Sequence, residues 1–126
     1  MSLTAVLKLV IRILPVCLAL FTTGILVPPT SLTIGVGSVT IFFCNATGRL
    51  FDWFVDDVLA SDEMIRARGI SYETQEMDNY VVGILTIPAT TRNNNTVIYC
   101  SVAGTNGIVD SPVATLTVQG DLDTDQ

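Results

Sequence analysis

At 126 residues the chain is long enough for one domain, and its 49% apolar content is ample for a core. It contains no histidine, which excludes histidine-based triads and histidine metal sites. Its formal charge of −6 repels phosphate backbones and argues against nucleic acid as a partner.

The chain opens on "MSLTAVLKLVIRILPVCLALFTTGILV". Lys8 and Arg12 precede the apolar "ILPVCLALF", and the small residues Thr22, Thr23 and Gly24 follow. A positive start, an apolar middle and a small-residue exit give the layout of a secretory signal peptide, here assigned to residues 1–24. The competing readings are an uncleaved signal anchor and a buried helix. Ile13 to Val27 covers only fifteen residues, broken by Pro15 and Thr22-Thr23-Gly24, whereas a spanning helix needs ~20. The expected location is therefore extracellular, with membrane attachment only if this segment stays on as an anchor.

Removal of the leader leaves four basic residues (Arg49, Arg66, Arg68 and Arg92) against twelve acidic ones, a formal −8. It also removes Cys17, so Cys44 and Cys100 remain. An even pair in an oxidising compartment reads as one disulfide; in a reducing one it would be two buried thiols.

Beyond the leader, short apolar runs alternate with turn residues, and no helical period is sustained. Pro28-Pro29 reads as a stiff lead-in. Strands are predicted at 31–34, 39–44, 50–55, 70–74, 80–87, 97–103 and 113–118. Residues 61–69 fit either a turn of helix or an edge strand, and the acidic 121–126 a loose tail, which puts the domain at 25–120. About seven strands in so short a chain predict an all-β, two-sheet antiparallel sandwich.

Alternation assigns faces. Phe51, Trp53 and Val55 share one side of their strand, with Asp52 and Phe54 on the other. Phe42 takes the same side as Cys44, which leaves Ile41 and Phe43 outward. Tyr99 lies opposite Cys100.

Cys44, Trp53 and Cys100 resemble the cysteine–tryptophan–cysteine signature of the immunoglobulin superfamily. "GILTIPATTRNNNTVIYCSVAG" is similar to the family's E–F segment, with Leu85 fifteen residues before Cys100. "GVGSVTIFFC" resembles its B strand and "SPVATLTVQG" its G strand. The resemblance covers about residues 30–119. It implies a Greek-key sandwich in which Trp53 packs on a Cys44–Cys100 disulfide between the sheets. Closing that loop of about 57 residues implies ~4 kcal/mol of stabilisation in the chain-entropy picture. The family's Asp-x-Gly-x-Tyr-x-Cys motif is replaced by Asn94, Thr96 and Ile98, so the tyrosine corner is missing. Only nine positions separate Cys44 from Trp53, which implies a tight loop and leaves the intermediate and variable types open.

Chemistry-bearing residues are sparse. The pairs Asp56-Asp57 and Asp62-Glu63 point to opposite sides of their strands and read as solvated turns. Asp121, Asp123 and Asp125 alternate like half a calcium loop, without its glycine and glutamate. Arg66 and Arg68 read as a solvated edge. No enzyme activity, cofactor, metal or small-molecule substrate is expected. Two glycosylation sequons, at Asn45 and Asn94, fall on predicted turns.

In the family, strands C and F are neighbours, so Phe54 and Tyr99 form the candidate binding face. The expected function is that of an extracellular protein–protein recognition module, in adhesion or immune-type contact. Its partner would be a second copy or another immunoglobulin-like domain. The alternative is a structural module of a longer cell-surface chain with no binding site of its own.

Overall fold

The computed structural model describes residues 23–105 and 107–120. The expected tail, and the expected leader apart from Thr23 and Gly24, lie outside these residues. Ten strands are present among them: β1 (Gly24–Val27), β2 (Leu32–Gly35), β3 (Val39–Thr47), β4 (Leu50–Val55), β5 (Val58–Leu59), β6 (Ser71–Glu76), β7 (Val81–Pro88), β8 (Thr96–Gly104), β9 (Gly107–Asp110) and β10 (Ala114–Gln119). A one-turn helix α1 (Glu63–Arg66) settles the uncertain stretch after β5. The Asp62 carboxylate caps it by accepting from the Met64 N–H.

Two sheets face each other. One has the order β1-β3-β7-β6; the other runs β2-β10-β8-β4-β5, with β9 also on β8. Pairing is antiparallel except between β2 and β10, which run parallel.

Three strands go beyond the sequence reading. β1 lies inside the apolar N-terminal run, where composition suits a leader as well as a strand. Pro28 and Pro29 stand between β1 in one sheet and β2 in the other. Proline has no N–H for a ladder, so this is where the chain can change sheets. β5 follows a two-residue turn in which Asp56 and Asp57 take φ of 50° and 67°. Both central residues at positive φ match the twist of a tight hairpin, and aspartate tolerates it better than most residues. β9 and β10 both pair with β8, on successive stretches of it, and are parted by Ser111-Pro112-Val113. Ser111 bridges the gap: its N–H donates to the Cys100 carbonyl, and its Oγ accepts from the Cys100 N–H.

Between the sheets lies one core. Phe42, Cys44, Trp53, Val55, Leu85, Ile87, Ile98, Cys100 and Leu116 are buried in it, each from the inward side of its strand. Cys44 on β3 and Cys100 on β8 form a disulfide across the sheets, with Cα atoms 6.5 Å apart. Gly83 sits opposite Cys44 on β7. A Cβ there would collide with the Phe51 ring and the Trp53 indole, so glycine makes room for the aromatic layer. Phe51 meets Trp53 edge-on, with centroids 5.8 Å apart.

Candidate functional site

Outward side chains of β4, β8 and β9 meet in rows, because residues directly opposite in antiparallel strands share a face. Phe54 stands opposite Tyr99, and Leu59 on β5 opposite Phe54. The Phe54 and Tyr99 rings stack, with centroids 5.0 Å apart and planes 5° from parallel. Both are half-buried. One row further along, Asp52, Ser101 and Asp110 lie side by side. Leu50, Ala103 and Ile108 make the next row, in which Leu50 and Ile108 are exposed. These rows floor a shallow cleft of about 390 Å³.

Among the described residues no basic side chain lines that cleft. Burial, followed by the carboxylates of Asp110 and Asp57, pushes the Tyr99 phenol above its ordinary pKa. Tyr99 therefore stays a neutral donor and acceptor beside two acidic groups. The arrangement offers a flat aromatic platform, apolar side chains and carboxylates, suited to a partner that brings cations and apolar groups together.

The structure thus brings the sequence-derived pair Phe54 and Tyr99 into contact. Sequence reasoning places no strand between 103 and 113, with a break at Gly104–Gly107, and so misses Ile108 and Asp110. Their alternation after Gly107 was the available signal.

Trp53 and Leu85 are both in the core. Asn45 is not on a turn: β3 runs on through Thr47, and the turn comes at Gly48-Arg49. A Cβ on Gly48, where φ is 154°, would strike Val102, so the bend falls on the glycine rather than on the sequon. Asn94 follows a short 3-10 turn, Thr91–Asn93, and its Oδ1 accepts from the Val118 N–H at 2.8 Å.

Arg68 is also not a solvated edge. Its side chain is largely covered and reaches Asp56 Oδ2 at 2.9 Å. It donates as well to Asn93 Oδ1 at 3.0 Å and Thr96 Oγ1 at 2.6 Å. Asn93, fully buried, returns its amide to the carbonyls of Arg68 and Pro88. Asp56 Oδ1 accepts from the Val97 N–H. This polar cluster joins the turn after β4, the segment after α1, the 3-10 turn and the start of β8, near the position where the tyrosine corner is lacking.

A second cleft, of about 700 Å³, opens at the other end between Gly48-Arg49, the β6–β7 turn and Gly104-Thr105. Among the described residues no group of three or more cysteine, aspartate or glutamate side chains is placed to hold a metal. No helix among them is long and apolar enough to cross a membrane. Asp121, Asp123 and Asp125 lie outside the described residues.

Solved structures with the same architecture carry immunoglobulin domains. The N-terminal Ig1-2 module of the Drosophila receptor protein tyrosine phosphatase DLAR superposes with a TM-score of 0.60 at 24% identity, over 79% of this chain and 50% of that one. The N-terminal eight domains of Down syndrome cell adhesion molecule give a TM-score of 0.63 at 18% identity, over 79% of this chain and 13% of that one.

The chain has the immunoglobulin fold.

The BTLA ectodomain, 13% identical, matches over 78% of this chain and 99% of its own length with a TM-score of 0.58. No protein-family model matches the chain, and no curated protein is similar to it. This chain spans half of the DLAR module and a small part of the adhesion molecule. In the fold's lettering, β1, β3, β7 and β6 are strands A, B, E and D. The other sheet holds A′ (β2), G (β9 and β10), F (β8), C (β4) and C′ (β5). Among the described residues that sheet has C′ but no C″, between the constant and the variable patterns.

Proposed function

We propose that this chain is an extracellular recognition module that binds a protein through the outer face of strands C, F and G. The observation that carries this reading is the stacked Phe54–Tyr99 pair beside the row of Asp52, Ser101 and Asp110. Aromatic anchors at the centre of a patch supply most of the energy in known interfaces. The carboxylates of Asp52 and Asp110 favour a partner with a basic, apolar-flanked surface. They disfavour a second copy docking like face to like face, which would set carboxylate against carboxylate. The disulfide and the N-terminal segment with leader layout support the extracellular location.

The test is F54S combined with Y99S. Loss of an anchoring aromatic should weaken binding to a captured partner by ~2 kcal/mol or more while the fold is retained. A folded double variant that keeps full affinity removes the C–F face from consideration and moves attention to the cleft at Gly48 and Thr105.

A second reading is favoured by the multi-domain context of two of the similar structures: a spacer in a longer cell-surface chain. A transcript that continues past Gln126 into further domains, with no partner for the isolated module, would establish that role instead.

A further inference from the structure

The opposite outer face, on strands A, B and E, carries a run of exposed apolar side chains. On strand B, Val39, Ile41 and Phe43 point outward and are 59%, 46% and 53% exposed. Across the ladder Phe43 faces the half-buried Ile84, and Ile41 faces Thr86. The next outward residue on strand B is Asn45, one pleat from Phe43. It lies between Val82 on strand E and the exposed Val27 on strand A. The acceptor of the Asn45-Ala46-Thr47 sequon thus stands within the apolar face rather than on a loop beside it.

We propose that Asn45 carries an N-linked glycan and that this glycan covers the outer face of the A-B-E sheet. The inference rests on the extracellular reading above, because only the secretory route supplies the donor, a lipid-pyrophosphate oligosaccharide. In the transfer the Asn45 amide nitrogen bonds to C1 of the first sugar and loses a proton. The C1–oxygen bond breaks, and the lipid pyrophosphate leaves. Transfer takes place on the entering, unpaired chain, so the later burial of Ala46 and Thr47 in strand B is no obstacle. Once β3 has paired, the side chain projects the sugar over Phe43, Val27 and Val82. The A-B-E face is thereby closed to protein contact, and the C–F face is left open. Exposed apolar side chains in such a row otherwise invite association.

The experiment expresses the full chain in eukaryotic cells and maps the peptide that contains Asn45 before and after peptide-N-glycosidase. The expected result is an enzyme-sensitive mass increment at Asn45 that N45Q lacks. N45Q, and wild-type chain trimmed of sugar after folding, should bind an apolar dye more strongly and shift towards dimers in light scattering. Adding F43S to N45Q should reverse that gain. Secreted chain with unmodified Asn45 overturns the proposal and leaves the extracellular reading standing. Chain kept in the cytosol with unmodified Asn45 overturns both. A glycan whose removal changes neither dye binding nor association overturns the covering role.

Discussion

The two outer faces of this sandwich use aromatic side chains in opposite ways. On strands C and F, Phe54 and Tyr99 stack on each other and are half-buried beside carboxylates. On strand B, Phe43 has no ring partner among the described residues and stands 53% exposed beside Ile41 and Ile84. Alternation along each strand places these residues outward equally well. The difference arises across the strands, from which residue each one meets in the ladder. A face is therefore defined by register, and register is fixed by turns that lie far from the face itself.

The comparison can be broken most severely at the bond that holds the faces back to back. C44A should cost ~2–5 kcal/mol in denaturant unfolding and lower secretion, because both sheets lose their cross-link. R68A should come next, at about 2 kcal/mol, since Asn93 and Thr96 then lose a charged hydrogen-bond donor. Its readout is the unfolding midpoint, and R68K should recover only part of the loss, because an ammonium cannot reproduce the guanidinium fork. The sharpest separation of the faces comes from paired variants. I41S with F43S should leave partner affinity intact and shift stability by no more than about 0.5 kcal/mol per site. The same binding assay on F54S with Y99S is the one expected to collapse.

The smallest effect is one of pH. The Tyr99 phenol titrates above its ordinary value in the folded chain, so its contribution is fully present below that value. It is lost as pH rises through the folded-state pKa. Unfolding midpoints compared between neutral and strongly alkaline solution should show this loss in wild type and less of it in Y99F.

Much of this was legible in the residues. Strict alternation in "VTIFFC" and "LFDWFV" oriented Phe42, Trp53 and Phe54 as the structure has them. Three kinds of information were not. β1 shares its apolar character with a leader, and composition does not separate the two. β5 is only two residues long and depends on Asp56 and Asp57 adopting positive φ, which turn statistics permit but do not demand. The role of Arg68 depends on partners 25 and 28 residues away, Asn93 and Thr96, with which it shares no local pattern. The site was legible to the same degree: Phe54 and Tyr99 followed from alternation and family likeness, whereas Asp110 required the β8–β9 register.

The parallel pairing of β2 with β10 has a mechanical consequence. The chain enters β2 at Leu32 and leaves β10 at Gln119, and the two strands lie side by side in the same direction. Tension applied between Leu32 and Gln119 pulls these strands past each other along their own axes. All the bonds of that ladder then bear load at once, in shear, and none can be peeled away before the next. The Val36 N–H to Gln119 carbonyl bond, 2.7 Å long, reinforces the same seam. Stretched between those two points, the β2–β10 seam gives way as a unit or not at all.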